Sequence, residues 1–223
     1  MSTGQSSTLL SGVSRMEKEQ TMDSRSVRKH EAILEAATSV FLDKGYSGTS
    51  MDDIAKRAAV SKQTVYKHFA DKEKLFAEIV LATTDRLDTT IDLLADITTD
   101  AANLEENLTR LARRLLATLT HPQVIQLRRL IIANADVFPD LGTEWYERGF
   151  QRGLATLAAT FRQLADQGLL RIDDALLAAN HFSGLLLWIP VNKAMFTGGA
   201  QHTEADLDRL AAAGTRVFLA AYR

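Results

Sequence analysis

The chain has 223 residues, 46% of them hydrophobic, no cysteine and a formal net charge of −2 at pH 7. This length suits one large or two small domains with a sizeable core, and the lack of cysteine excludes disulfide frameworks and thiolate metal sites. The longest apolar run, residues 184–191, is too short for a membrane span and contains Pro190. We therefore expect a cytoplasmic protein without a membrane partner.

The N-terminal part of the chain contains a polar segment and then an amphipathic one. Residues 1–26 are rich in Ser, Thr and Gly and have no periodic apolar face, which predicts a disordered tail. A first helix is predicted over residues 27–44, where Ile33, Ala37 and Val40 recur at helical spacing. Gly45 is suited to the C′ position at the end of this helix.

Residues 48–76 carry the signals of two short helices, a tight turn and the start of a third helix. Ser50 can cap the first helix, and Asp53, three residues later, completes a capping box. Ser61 offers a second N-cap, and Val65 and Phe69, four residues apart, share one helix face. This arrangement predicts a helix-turn-helix.

The second helix of this motif has an outward face suited to DNA. Lys62 and Lys67 can neutralise phosphates, and Gln63, near the helix N-terminus, can pair with adenine through two hydrogen bonds. The N-terminal residues of a recognition helix are those that meet base edges. The same residue types also fit an ordinary helical hairpin with a solvated polar face, so the residues alone leave both interpretations open.

The helix-turn-helix resembles the DNA-binding signature of the TetR family of bacterial one-component transcriptional regulators. That signature has Thr before the first helix, Ile-Ala inside it, Val-Ser at the turn and Tyr-x-His-Phe-x-x-Lys-x-x-Leu after it. One position departs from it, because the turn has Ala59 where the family usually has Gly, and a positive φ there costs Ala about 1 kcal/mol relative to Gly. The matching residues are Thr49, Ile54, Ala55, Val60, Ser61, Tyr66, His68, Phe69, Lys72 and Leu75.

The resemblance implies an all-α fold of about nine helices with a three-helix DNA-binding head over residues 27–72. Residues 73–223 are then a larger helical domain that binds an effector and forms a homodimer. The implied function is a repressor that binds a palindromic operator of double-stranded DNA. Residue chemistry and resemblance together predict DNA contacts from Thr49, Ser50, Ser61, Lys62, Gln63, Thr64, Tyr66, Lys67, His68 and Lys72.

Apolar periodicity predicts that the rest of the chain is helical as well. Pro190 should kink or interrupt the helix that contains it, because proline removes one backbone hydrogen bond. Thr203 is a suitable N-cap for the last helix. The predicted helices cover residues 72–97, 104–119, 123–135, 140–167, 173 onward and 204 onward.

A dimer interface is expected where the helix from Asp173 pairs with the last helix, so that two protomers form a four-helix bundle. Val217 and Phe218, on the apolar stripe of the last helix, are the candidate interface residues. The alternative is that this stripe faces the core of its own protomer.

Polar and aromatic residues interrupt the apolar helix faces of the C-terminal domain. An apolar cavity with a few convergent polar groups suits a small ligand, so these residues are candidates for an effector site. The alternative is an ordinary core in which each buried Asn or His is satisfied by an internal hydrogen bond. The candidate ligand-binding residues are Asn134, Trp145, Tyr146, Phe150, His181, Trp188, Asn192 and Phe196.

The sequence contains no motif for enzymatic or cofactor chemistry. It has no GxGxxG or Walker-type loop and no GxSxG elbow, and its five histidines are scattered without metal-ligand spacing. We therefore expect no catalytic residue, metal or cofactor. Two alternatives to an effector-controlled regulator remain open: a DNA-binding architectural protein with a solid C-terminal core, and an enzyme with convergent titratable residues in the helical domain.

Overall fold

Helices form every regular element that the structure describes, which confirms the predicted all-α class. The computed structural model describes the backbone of residues 6–91, 103–197 and 202–223, and the side chains of residues 25–82, 103–197 and 202–223. The chain divides into two compact units between Phe76 and Ala77, close to the expected boundary at residue 72. Residues 1–5 of the predicted tail and residues 92–97 of the predicted fourth helix lie outside the described residues.

The described ranges contain ten α-helices. They are α1 (Ser6–Gly48), α2 (Met51–Arg57), α3 (Lys62–His68), α4 (Lys72–Ile91), α5 (Leu104–Leu119), α6 (Pro122–Ala133), α7 (Pro139–Trp145), α8 (Arg152–Asp166), α9 (Ala175–Thr197) and α10 (Glu204–Tyr222). A π-helical segment, Tyr146–Gln151, joins α7 to α8 in one continuous run. The described elements therefore form nine separate helical stretches, the number predicted.

The first helix is longer than the sequence predicted. It begins at Ser6, so residues 6–26, expected to be a disordered tail, form its N-terminal part instead. No proline interrupts this stretch, and residues 16–20, Met-Glu-Lys-Glu-Gln, are good helix formers that outweigh the Ser and Thr around them. Gly45 has a φ of 71°, which ends the regular helix at the predicted position.

The helix-turn-helix forms as predicted. Ser50 and Asp53 make the reciprocal capping box at the start of α2, and the Ser61 hydroxyl accepts from the Thr64 amide at the start of α3. Between the two helices, Ala59 has a φ of 53°. The turn therefore does use the left-handed conformation that Gly adopts without strain and Ala does not.

Aromatic rings fill part of the first unit. Phe41 and Phe76 are fully buried, with ring centroids 5.2 Å apart, and Tyr46 lies 5.1 Å from Phe76. The Arg57 guanidinium connects α2 to α1, donating to the Ser39 hydroxyl at 2.6 Å and to the Asp43 carboxylate at 3.0 Å. These contacts fix α2 against α1 and so position the turn that leads into α3.

The core of the second unit lies between α5, α8, α9 and α10. Phe161, Phe182 and Phe218 are fully buried there, with ring centroids 4.8–5.5 Å apart. The prediction that Phe218 lies at a dimer interface is therefore wrong. Val217 is 55% exposed, because successive residues point about 100° apart around a helix.

Pro190 does not interrupt its helix. The α9 helix runs from Ala175 to Thr197 through this proline, and Val191 and Ala194 just beyond it are buried, so packing holds the helix together. By length and composition, α9 is the one helix in the described part of the chain that could cross a membrane, which the sequence analysis did not predict. Core helices of soluble proteins meet the same criterion, and 39% of this apolar window is buried.

Candidate nucleic-acid interface and effector cavity

The α3 helix has one buried face and one exposed face. Val65 is fully buried, and Phe69, at the C-cap, is 3% exposed. Gln63, Tyr66 and Lys67 point to the exposed side, with Gln63 in the first turn, where recognition helices meet bases. The face therefore has the geometry expected of a DNA-reading surface, and the individual contacts stay predictions.

Lys62, at the first position of α3, forms an ion pair with Asp52 of α2 at 2.8 Å. The hydrogen bond and the charge of Asp52 raise the pKa of Lys62 above its ordinary value. Both side chains are more than half exposed, so the pair is easily solvated. The ammonium group has three donors, so a contact between Lys62 and a DNA phosphate stays a prediction beside this ion pair.

Thr49 and Ser50 are structural in this head. Thr49 is 4% exposed and its hydroxyl donates to the Gly45 carbonyl at 2.7 Å, so its side chain does not reach the surface where DNA was predicted to bind. Ser50 is exposed, but its hydroxyl donates to the Asp53 carboxylate at 2.6 Å within the capping box. The Ser61 and Thr64 hydroxyls likewise share a hydrogen bond at 2.8 Å.

Lys72, another predicted phosphate contact, forms hydrogen bonds within the first unit. Its ammonium group donates to the main-chain carbonyls of Tyr46 and Thr49, at 2.9 and 3.0 Å. It also lies 4.3 Å from the centre of the Tyr46 ring, a cation–π distance. An ammonium group has three donors and these carbonyls take two of them, so one donor is left for a phosphate. The phosphate contact stays a prediction.

His68, at the end of α3, is half-buried. Its ring centroid lies 5.8 Å from that of His30 in an edge-on arrangement. Burial lowers the pKa of His68 below its ordinary value, and the nearby His30 and Lys67 lower it further. These surroundings disfavour the charged form of the ring, and a contact between His68 and DNA stays a prediction.

The second unit contains a cavity of about 520 Å³ between α5, α6, α7, α8, α9 and the π-helical segment. This volume lies in the range of about 300–1,000 Å³ that small-molecule sites occupy. Most of the lining side chains are apolar. They are Leu111, Leu115, Leu119, Val124, Ile132, Phe150, Leu154, Leu157, Leu187, Val191 and Met195, with Trp145 and Trp188 as amphipathic members.

Four of the eight predicted ligand-binding residues line this cavity: Trp145, Phe150, Trp188 and Asn192. The Asn192 amide nitrogen donates one hydrogen bond to the Trp188 carbonyl at 2.6 Å, which leaves its second N–H and its side-chain oxygen for other partners. Asn180, also on the wall, has the same arrangement with the Leu176 carbonyl at 2.9 Å.

The other four predicted residues do not line the cavity. The Asn134 amide donates to the Leu130 carbonyl at 2.8 Å, and His181 forms a hydrogen bond with the Tyr222 hydroxyl at 2.5 Å. Tyr146 is 48% exposed and Phe196 87% exposed. Sequence reasoning identified polar and aromatic interruptions correctly but could not tell which side of a helix each one faces.

Arg128 of α6 lines the cavity and is not among the ligand-binding residues predicted from the sequence. Its guanidinium carbon lies 5.4 Å from the centre of the Trp145 ring, also on the wall. Burial lowers the pKa of Arg128 below its ordinary value. The available signal was a pair of arginines, Arg128 and Arg129, between Leu127 and Leu130, and the sequence does not show which of the two turns inward.

Two family models match the chain in succession. The model of bacterial regulatory proteins of the TetR family matches residues 33–79, which include the helix-turn-helix. The model of the C-terminal domain of AefR-like transcriptional repressors matches residues 106–223, more than half of the chain. The chain belongs to the TetR family. The Gly-to-Ala departure at the turn does not set it outside that family.

Solved structures of TetR-family members share the fold. A TetR-family regulator from Mesorhizobium loti is 50% identical, with a TM-score of 0.83 over 89% of this chain and 98% of that one. The flavonoid-responsive regulator FrrA is 33% identical, with a TM-score of 0.69 over 88% and 97% of the two chains. These alignments place the TetR-family fold over nearly the whole of this chain.

Among curated relatives, the regulator YdeS of Bacillus subtilis is 43% identical over 83 residues, 36% of this chain and 42% of that protein. The chain spans less than half the length of the curated relatives it matches. These relatives and the matching families are transcriptional regulators.

Proposed function

We propose that the protein is a homodimeric, cytoplasmic repressor that binds a palindromic operator through α3 and leaves it when a small, largely apolar ligand fills the cavity. One observation supports this proposal above the others: a TetR-family chain with an exposed recognition helix also contains an apolar cavity of about 520 Å³. The matching C-terminal family is described as a repressor family, which favours repression.

DNA reading is assigned to the exposed face of α3. Lys62 and Lys67 supply cations for phosphates, and Gln63 supplies an amide that fits the major-groove edge of adenine. Tyr66, 46% exposed, offers a hydroxyl to the phosphate backbone. Because one helix-turn-helix reads only a few base pairs, useful specificity requires two heads and therefore a dimer.

Dimerisation is assigned to α9 and α10. Leu185 and Ile189 lie four residues apart on α9, so they share one face, and they are 45% and 70% exposed. Val217 of α10 is also exposed. Contiguous apolar surface on a protein that is not in a membrane generally marks an interface, and a second copy of the chain satisfies the requirement for two heads.

The cavity also favours an effector-controlled regulator over the two alternatives. An architectural DNA-binding protein needs no cavity, and it was expected to have a solid core. An enzyme predicts convergent titratable residues in a pocket, and among the described residues Arg128 is the sole titratable one that lines this cavity. Titratable residues converge instead in a more open cleft between α5 and α10, where Arg113 is ion-paired with Asp208. No cluster of three or more His, Asp and Glu residues that could hold a metal occurs in the described part of the chain. An effector-controlled regulator fits these observations best.

The first test selects operator sequences from random DNA with the purified protein and then compares variants on the selected site. We expect Gln63→Ala to cost about 1–3 kcal/mol at particular base pairs. Lys67→Ala should instead weaken all sequences alike and reduce the salt slope by about one. A Gln63→Ala variant that weakens every sequence equally would contradict the assigned base contact.

The second test concerns release. Changing the DNA-bound fraction from 1:99 to 99:1 takes about 5.5 kcal/mol of differential ligand affinity. By thermodynamic reciprocity, saturating operator must weaken ligand binding by the same factor that ligand weakens operator binding. If a candidate ligand binds with equal affinity in the presence and absence of operator, that ligand is not an inducer. The architectural alternative would then gain support.

A further inference from the structure

Arg128 is the sole charged residue among the described residues that line the cavity. The remaining wall is apolar or aromatic, with polar groups on Thr118, Asn180, Ser183 and Asn192. No Asp or Glu belongs to the wall, and no ion pair joins Arg128 to a carboxylate among the residues whose side chains the structure describes. Its described partner is the Trp145 ring, 5.4 Å from the guanidinium carbon.

A guanidinium group in this position is costly without an anion. Arginine stays protonated in proteins, so it cannot escape burial by losing its charge. The cause of the lowered pKa of Arg128 is desolvation, with no neighbouring carboxylate to oppose it. The face of an aromatic ring attracts the guanidinium charge. Unlike a carboxylate, it has no oxygen atoms that accept hydrogen bonds from the five guanidinium N–H groups.

We propose that the effector is an apolar molecule carrying one carboxylate, which binds the Arg128 guanidinium while the hydrocarbon or aromatic body occupies the rest of the cavity. The planar guanidinium fits a carboxylate through two parallel hydrogen bonds. This inference rests on the proposed function and names the chemical class of its effector. A phosphate ester fits less well, because the described wall provides no second cation for a dianion.

The chain contains its own reporter for this site. Its two tryptophans are Trp145 and Trp188, and both line the cavity. Ligand in the cavity therefore changes the environment of every tryptophan in the protein. Trp145 is also the ring beside Arg128, so a carboxylate at the guanidinium lies close to one of the two emitters.

The experiment titrates the full-length dimer with matched acid and amide pairs and follows tryptophan emission. The probes are decanoate, 4-phenylbutyrate and 2-naphthoate, each beside its primary amide, which has nearly the same shape without the charge. We expect at least one acid to bind about tenfold or more tightly than its amide, since charge-assisted hydrogen bonds are worth that much.

Two variants assign this preference to a residue. Arg128→Met keeps an unbranched side chain in the wall and should remove the preference for acid over amide. Arg129→Met changes the neighbouring residue of α6, which is exposed and does not line the cavity, and should keep it. Operator binding by both variants, measured in parallel, reports that each still folds.

The outcomes separate the inference from the proposed function. If acids and amides bind wild-type protein equally, or if Arg128→Met keeps the preference, the anionic effector is wrong while a ligand-controlled regulator remains possible through neutral molecules. If no acid and no amide changes tryptophan emission, control by an effector in this cavity fails as well. Loss of the acid preference in Arg129→Met to the same extent would also contradict the assignment to Arg128.

Discussion

Lys72 and Thr49 are joined by a hydrogen bond of 3.0 Å from the ammonium group of the first to the main-chain oxygen of the second. The same ammonium donates to Tyr46 and lies over its ring. Lys72 begins α4, whereas Tyr46 lies in the last turn of α1 and Thr49 between α1 and α2. One side chain therefore connects the segments on either side of the helix-turn-helix. The lysine of the family signature thus has a structural function in this chain.

Replacing Lys72 with Met should destabilise the first unit even without DNA. Two hydrogen bonds to a charged donor are lost at a half-buried site, and we expect a cost of about 2 kcal/mol in the free energy of unfolding. Urea unfolding followed by circular dichroism measures it. Lys74→Met, an exposed change on the same helix, is the control and should stay within about 0.5 kcal/mol. Equal effects of the two variants would contradict the role assigned to Lys72.

Ala59→Gly should stabilise the turn between α2 and α3. Ala59 has a φ of 53°, a region where an L-residue with a Cβ is strained and glycine is not. Glycine also adds entropy to the unfolded chain, so the expected net gain is about 0.5–1 kcal/mol. Ala58→Gly is the control, because Ala58 has a φ of −77° and gains nothing from glycine. A lower melting temperature for Ala59→Gly would show that the strain is relieved in some other way.

Thr215 and Thr160 should respond in opposite directions to the same substitution. The Thr215 hydroxyl is fully buried without a hydrogen-bond partner among the described residues. Valine removes that polar group at nearly constant shape, so we expect Thr215→Val to raise stability by about 1 kcal/mol. Thr160 is also buried, but its hydroxyl donates to the Thr156 carbonyl at 3.2 Å, and Thr160→Val should lower stability by about 1 kcal/mol. Thermal unfolding measures the stability of each variant relative to the wild type. A destabilised Thr215→Val variant would show that the Thr215 hydroxyl has a hydrogen-bond partner.

The proposed dimer is tested at Val217 and not at Phe218. Val217→Glu places a charge on the exposed face of α10 and should shift sedimentation toward monomer while the circular dichroism spectrum stays helical. Val137→Glu, at a 64% exposed position between α6 and α7, is the control and should leave the dimer intact. Phe218→Glu buries a carboxylate in the core and should unfold the second unit. A Val217→Glu variant that remains fully dimeric would place the interface elsewhere.

The local features of this fold were predictable from short stretches of sequence. Ser50, Ser61 and Thr203 cap their helices as the sequence predicted. Capping depends on residues at most three positions apart, so the sequence contains all the information that it needs. The positive φ of Ala59 was likewise predictable in kind, because the resemblance pointed to a position where glycine is usual.

Features that depend on distant segments were not predictable. Thr49 is buried because of where α1 ends, and Lys72 turns inward because two carbonyls from a distant turn face it. Val217 and Phe218 are adjacent on one stripe, and helical periodicity cannot decide which of them meets its own core. Arg128 stands out only once the packing of six helical segments shows that the surrounding wall has no other charge among the described residues.

Trp188 is part of the cavity wall and is also 72% exposed on α9, the helix whose apolar face we assign to the dimer. In the proposed dimer, this one indole ring contacts both the effector and the partner protomer, so we expect a ligand in one cavity to perturb the surface that the second protomer shares. Binding to the dimer should therefore deviate from a simple hyperbola, with a Hill coefficient different from one. The monomeric Val217→Glu variant should bind the same molecule with a Hill coefficient of one.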